Sequence, residues 1–97
     1  MENIENTDKT EKTKFTTPPN LCGDRVRAAR AMRKLSLDEL ALKCQFNGVQ
    51  MTKFILSRIE RKERHVVDGE LVALAEVLDV DVAWLLELTN DHTRKSL

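Results

Sequence analysis

The run "LSRIERKERHVVD", residues 56–68, places one carboxylate inside a cluster of cations. Glu60 lies at helical spacing from Leu56 and Ile59, which are the residues that would face a core. A solvated helix end does not require this arrangement, whereas a buried carboxylate with a distant cationic partner does. The run therefore predicts a buried ion pair. The local alternative is an exposed Glu60 that pairs with Arg64 four residues later.

The charges of the chain are segregated, although their sum is zero. Residues 24–65 contain eleven lysines and arginines and five acids, a net charge of +6. Residues 66–91 contain seven acids and no lysine or arginine, a net charge of −7. Such asymmetry orients a protein in the field of a polyanion and favours a nucleic-acid partner. Ordinary solvated helix faces are the alternative explanation.

Catalytic and metal chemistry have little support in the residue types. Ser57, His65 and Asp68 are the residue types of a catalytic triad, but Ser57 falls inside a predicted helix. Neither a glycine-rich phosphate loop nor a paired-carboxylate site occurs. The two histidines lack ligand-spaced neighbours, and the two cysteines are expected to be reduced, partly buried hydrophobes. The sequence thus predicts no enzyme activity, no metal and no cofactor.

The elements that position the charged residues are short helices, because the apolar residues recur at helical rather than alternating spacing. Residues 1–20 contain almost no apolar residues and carry two prolines near their end, which predicts a disordered, flexible N-terminal arm. Residues 21–88 are predicted to form an all-α domain, followed by a short tail at residues 89–97. The five predicted helices contain "DRVRAARAMRK", "LDELALKC", "KFILSRIERK", "GELVALAEVL" and "VAWLLEL".

Polar residues mark the predicted helix boundaries. Ser36, with Glu39 three residues later, predicts a capping box at the start of the second helix. The other predicted boundaries are Asn20 or Gly23 for the first helix, Thr52 for the third, Asp68 for the fourth, Asp81 for the last, and Asn47-Gly48 for the turn after the second.

In this order, "LSLDELALKC", "TKFILSRIERKER" and "LVALAEVLDVDVAWLLE" resemble the helix-turn-helix DNA-binding domain of the Cro and phage-repressor class, the xenobiotic response element (XRE) family. The resemblance covers residues 21–88 and implies a five-helix lambda-repressor-like fold. Two features depart from the family pattern. Leu37 stands where many members have a phosphate-contacting glutamine, and the turn before the third helix is longer than in the short-turn members.

The resemblance also implies a partner for the glutamate in the basic run. In relatives, the glutamate that closes the third helix often pairs with an arginine of the first helix. The corresponding residues are Glu60 and Arg30.

In such a motif the third helix enters the major groove, and residues near its N-terminus reach base edges. Phe54 could instead cover the core, Arg58 could be a solvated charge, and Ile55 could face either the core or the groove. The residues after the reading positions are expected to touch phosphates, which fix register without carrying sequence information. The implied base contacts are Thr52, Lys53, Phe54 and Arg58, and the implied phosphate contacts are Arg61, Lys62 and Arg64.

The acidic segment contains more apolar residues than one short helix must bury. Trp84 and Leu88 are therefore candidate homodimer contacts, and two-fold dimers of this kind bind paired half-sites. The alternative is that all of these residues cover the core of the monomer.

Together these features predict a cytoplasmic, sequence-specific regulator of transcription, a repressor that binds double-stranded DNA. Neither a signal peptide nor a membrane-spanning stretch is expected. The alternative is a protein-interaction module, or an antitoxin-like partner, that keeps the fold with weak or no DNA binding. The zero net charge and Leu37 favour this alternative.

Overall fold

A computed structural model describes residues 18–94 of the chain. Its helices are α1 (Gly23–Met32), α2 (Leu37–Phe46), α3 (Lys53–Glu60), α4 (Asp68–Leu78) and α5 (Val82–Leu85). No strand occurs within residues 18–94, so the predicted all-α architecture with five helices is confirmed. In this range no helix has the length and apolar character that a membrane span requires. Most of the predicted arm, residues 1–17, lies outside the described residues.

Side-chain caps start α2 and α3 where the sequence predicts them. Ser36 Oγ accepts the Glu39 N–H at 3.0 Å, and Glu39 Oε1 accepts the Ser36 N–H at 2.8 Å. This reciprocal capping box satisfies two amides that have no partner within α2. Thr52 Oγ1 accepts the Ile55 N–H at 3.2 Å and starts α3. A local hydrogen bond therefore determines where α3 begins. This helix carries the candidate base contacts.

The start of α4 differs from the prediction by one residue. Val67 occupies the N-cap position, and Asp68 is already helical. The predicted cap at Asp68 is therefore wrong. The physical reason is that Glu70 reaches back and accepts the Val67 N–H at 3.1 Å, which satisfies the amide at the cap position.

Each of the five helices within residues 18–94 is followed by a residue with left-handed backbone, and the N–H of the next residue donates to the carbonyl five positions before it. After α2 this residue is Gly48, with φ of +81°, and the predicted Asn47-Gly48 turn is confirmed. A residue with a side chain costs about 1 kcal/mol in this conformation, yet the other four helices use one. These residues are Lys34, Lys62, Asp79 and Glu87.

One hydrophobic core joins the helices, and α3 contributes Leu56 and Ile59 to it. Cys22 and Cys44 are both free and buried, as predicted. Burial raises the pKa of the Cys44 thiol to about 11, so this cysteine is a neutral apolar side chain at physiological pH. Within residues 18–94, no three His, Cys, Asp or Glu side chains form a group that could hold a metal ion.

The residues after α5 pack back onto α1. Arg25 Nη1 donates to the carbonyls of Trp84, at 2.8 Å, and Thr89, at 2.7 Å. The Arg25 guanidinium also lies 4.8 Å from the centre of the Trp84 ring. The Asp81 N–H donates to the His92 carbonyl at 3.1 Å. Thr89 and His92 are therefore hydrogen-bonded to the helical part of the chain.

The N-terminus of α1 lies directly on the C-terminal end of α3. A methyl group at Gly23 would collide with the Ile59 carbonyl oxygen and come within 3.0 Å of the Glu60 carbonyl oxygen. Asp24 Oδ2 forms an ion pair with Lys62 Nζ at 2.9 Å beside this contact. The positive end of one helix dipole thus meets the negative end of the other.

This close approach predicts that Gly23→Ala lowers the free energy of unfolding by about 1–3 kcal/mol, because two backbone segments must separate. Gly69→Ala is the matched control, since nothing lies within 4 Å of the added methyl in α4. The control is expected to gain about 0.5–1 kcal/mol from reduced backbone entropy. Urea unfolding of both variants measures the difference. A Gly23→Ala variant as stable as the wild type would contradict the contact.

Candidate nucleic-acid interface

Helix α3 has one buried and one exposed side. Leu56, Ile59 and Glu60 are buried. Thr52, Lys53, Phe54 and Arg58 are all exposed, so the structure brings the four predicted base contacts together on the outer side of α3 and its N-cap. These residues form the surface that we call the reading face.

Phe54 lies on the reading face with 72% of its surface exposed. The alternative that Phe54 covers the core is therefore wrong. Ile55, which the sequence left undecided, is partly buried and packs against the core. Ile55 thus anchors the first turn of α3 to the core, while the adjacent Phe54 ring points to solvent.

The two cations of the reading face have few internal partners. The Arg58 side chain makes no hydrogen bond or ion pair with any residue in the range 18–94. Lys53 Nζ lies 3.9 Å from Asp38 Oδ2 and 5.4 Å from the centre of the Phe54 ring. An exposed ion pair at this distance contributes little free energy. Both cations can therefore donate hydrogen bonds to an external acceptor.

The predicted contact between Arg30 and Glu60 is present. Arg30 Nε donates to Glu60 Oε2 at 2.7 Å, and Arg30 Nη2 donates to Glu60 Oε1 at 2.9 Å. Arg30 Nη1 also donates to the Leu35 carbonyl at 3.0 Å. The Glu60 side chain is only 7% exposed, and its hydrogen bond raises the pKa of Arg30 above the ordinary value. This fork ties α1 to the end of α3.

The local alternative for Glu60 is wrong, because Arg64 is engaged elsewhere. Arg64 Nη1 and Nη2 donate to Glu70 Oε1 and Oε2 at 2.8 and 3.0 Å. This second fork ties the segment between α3 and α4, residues 61–67, to α4. We call this segment the α3–α4 loop.

Each predicted phosphate contact in the α3–α4 loop has an acidic neighbour. A phosphate must therefore compete with an internal carboxylate for each of these cations. Arg61 is the most exposed, whereas both terminal nitrogens of Arg64 are occupied. The pairs are Arg61 with Glu63 at 3.2 Å, Lys62 with Asp24 at 2.9 Å, and Arg64 with Glu70 at 2.8 Å.

Asn20 is a residue of this region whose contacts across the fold the sequence analysis missed. The sequence marks it only as a possible start of the first helix, at the end of the predicted flexible arm. In the structure it is 8% exposed, and its amide donates to the carbonyls of Ile59 and Arg64. An N-cap residue type before an apolar run was the only available signal. It could not reveal a contact with residues 39 and 44 positions away.

The end of α2 and the long turn before α3 carry three amide side chains, at Gln45, Asn47 and Gln50, and two of them bind the backbone of this region. Gln45 Nε2 donates to the Met51 carbonyl at 2.7 Å, and Asn47 Nδ2 donates to the Lys43 carbonyl at 3.0 Å. Gln50 is exposed. The turn is therefore braced by its own side chains.

The two candidate dimer residues have different environments. Trp84 is only 8% exposed and belongs to the core of the monomer, whereas Leu88 is 76% exposed. For Trp84, the structure therefore agrees with the alternative, in which these residues cover the core of the monomer. Of the two residues, Leu88 has the side chain that is accessible to a partner.

Loss of Arg30 should strand the Glu60 carboxylate away from water. We expect Arg30→Met to lower the free energy of unfolding by about 3 kcal/mol, the lower end of the range for a broken buried pair, because Arg30 itself is partly exposed. Arg30→Met with Glu60→Leu should recover much of this loss, since neither charge remains. Arg27→Met, at an exposed arginine of α1, is the control. Chemical denaturation of the three variants gives the values, and an unchanged Arg30→Met variant would refute the assignment.

Acid should weaken the second fork. The hydrogen bonds from Arg64 hold the pKa of Glu70 below its ordinary value of 4.5. A lowered carboxyl pKa in the folded state contributes stability above the unfolded-state pKa, and this contribution disappears as the pH falls through the folded-state pKa. Between about pH 6 and about pH 3, Glu70→Gln should therefore lose less stability than the wild type.

The matched control for this experiment is Glu76→Gln, which neutralises an exposed carboxylate in the same helix. It should retain the wild-type acid dependence in denaturation curves recorded over the same pH range. Equal acid dependence of Glu70→Gln and the wild type would count against the fork.

Comparison with known families gives one match. Residues 26–85 match the model of the family HTH_3, described as Helix-turn-helix. The match runs from within α1 to the last residue of α5 and includes the whole reading face. No curated protein and no solved structure matches the chain.

Proposed function

Because the chain belongs to the XRE-type helix-turn-helix family, we propose that it is a sequence-specific DNA-binding repressor of transcription. The observation that carries the proposal is the reading face on α3, where Lys53, Phe54 and Arg58 are exposed on a helix whose other side is buried. The fold itself is that of a DNA-binding regulator. The repressor role and the individual base contacts belong to this proposal.

In the proposed complex the first turns of α3 enter the major groove of B-form DNA, whose width admits a helix. Lys53 and Arg58 donate to guanine O6 and N7, and the Phe54 ring packs on thymine methyl groups. Thr52 Oγ1 already accepts a hydrogen bond from Ile55, so its hydroxyl proton can be donated to a base or a phosphate. Arg30 and Glu60 act behind this surface by fixing α3 relative to α1.

Phosphate contacts in the proposed complex come from the α3–α4 loop. Arg61 is the first candidate, because its side chain is the most exposed of the three. Lys62 and Arg64 would have to share or exchange their partners Asp24 and Glu70. The acidic residues Glu76, Asp79 and Asp81, near the end of α4 and before α5, face away from the DNA in this complex, since phosphates would repel them.

Repression would result because the bound protein occupies a DNA site that RNA polymerase also needs. The proposed location of this activity is the cytoplasm. A homodimer built around the exposed Leu88 would place two reading faces on half-sites about one helical turn apart, roughly 34 Å. The second candidate function is a protein-interaction module or an antitoxin-like partner. Exposed apolar residues on the outer side of α2, Leu42 and Phe46, favour it.

Selection of bound fragments from random duplex DNA tests the proposed reading face. Lys53→Ala and Arg58→Ala should each relax the preferred sequence at one position and cost about 1–3 kcal/mol of discrimination there. Lys43→Ala is the matched control, because Lys43 is exposed on α2 and lies outside the reading face. The proposed base contacts fail if neither substitution on the reading face alters the selected sequence.

The salt dependence of binding separates the two candidate functions. A DNA-binding protein releases counterions from several phosphates, so its affinity for the duplex should fall steeply as salt rises. A protein-interaction module with the same fold should show no such binding to any duplex. The absence of salt-dependent binding in the wild type would therefore reject the repressor.

A further inference from the structure

Asn20 joins three segments of the backbone. Its Oδ1 accepts the Gly23 N–H at 2.8 Å, at the start of α1. Its Nδ2 donates to the Ile59 carbonyl at 3.1 Å, near the end of α3, and to the Arg64 carbonyl at 2.8 Å, in the α3–α4 loop. Because all three partners are main-chain atoms, Asn20 helps to hold these backbone segments in place relative to one another.

The α3–α4 loop is held from two sides at Arg64. Asn20 binds the carbonyl of Arg64, and Glu70 binds its guanidinium. The same Glu70 carboxylate accepts the Val67 N–H at 3.1 Å, and Arg64 Nη1 donates to the His65 carbonyl at 3.0 Å. A loop fixed in this way loses little conformational entropy when it meets a ligand.

We propose that Asn20 is a positioning residue for DNA binding, which holds the α3–α4 loop where its cations meet the phosphates beside the groove. This inference rests on the proposed function. Asn20 itself touches no DNA and acts through the main chain of Arg64. Loss of its donor leaves the Arg64 carbonyl without this hydrogen bond, whereas the Ile59 carbonyl still accepts the Lys62 N–H, so the loop can move. The base contacts persist, because α3 remains tied to α1 by Arg30 and Glu60.

Asn20→Ser is the variant that isolates the donor. Its shorter hydroxyl still accepts the Gly23 N–H, as serine does at helix starts, but it cannot bind both carbonyls. Asn90→Ala is the matched control, since it removes an amide that binds Arg25 at the other end of the chain. Should Asn20→Ser fail to fold, Asn20→Thr also keeps a hydroxyl that accepts the Gly23 N–H, loses the amide donor and leaves the charge unchanged.

The measurements are the affinity for the selected duplex over a series of salt concentrations, the selected sequence, and amide hydrogen exchange in residues 61–67. Asn20→Ser should bind about tenfold more weakly, with a slope of log affinity against log salt smaller by about one. Its selected sequence should be that of the wild type, and its loop amides should exchange faster. Asn90→Ala should match the wild type in all three.

The outcomes separate this inference from the proposed function. If the wild type itself shows no salt-dependent duplex binding, the proposed function fails, and the role of Asn20 fails with it. If the wild type binds and Asn20→Ser keeps the wild-type slope, only the role of Asn20 is overturned. A uniform loss of affinity that matches the unfolded fraction of Asn20→Ser also overturns it, because Asn20 then acts on stability alone.

Discussion

The two parallel hydrogen bonds between Arg30 and Glu60 are the interaction on which the arrangement of this domain depends. They fix the end of α3 against α1, where Gly23 already allows the two backbones to touch. A neutral apolar pair could hold the helices together, but it would not fix their relative orientation as a planar fork does. The reading face is exposed because the opposite side of α3 is committed to this contact and to the core.

The contacts show that part of the segregated charge stabilises the fold. Several arginines of the basic segment tie it to the acidic one: Arg33 donates to the carbonyls of Leu78 and Asp79, and Arg64 binds Glu70. These cations hold the fold together and are less available to a polyanion. The cations without a side-chain partner in residues 18–94 are Arg27, Lys34, Lys43 and Arg58. Net charge alone therefore says little about the surface a ligand meets.

The local features of the fold could be predicted from the sequence, because their causes lie within a few residues. The capping box at Ser36, the cap at Thr52 and the turn at Gly48 each depend on neighbours along the chain. The pair of Arg30 and Glu60 spans thirty positions and was predicted only through the family resemblance. The contacts of Asn20 with α3 and the α3–α4 loop have no such precedent or periodic signal, and they were missed.

The sequence also did not predict the environment of individual side chains. Sequence spacing could not decide whether Phe54 faces the core or the solvent. In the first turn of a short helix, an aromatic residue is compatible with either side. It also could not show that Arg64 is already bound by Glu70. Both questions depend on how α4 and the long turn pack around α3, which is a property of the whole fold.

The most direct measurement is a titration of the isotopically labelled protein with its selected duplex, followed by the backbone amide resonances. The account predicts that the largest changes occur in residues 52–58 and in the α3–α4 loop, while residues 76–85 on the acidic side stay nearly unchanged. Changes concentrated in α4 or α5 with an unaltered α3 would contradict it.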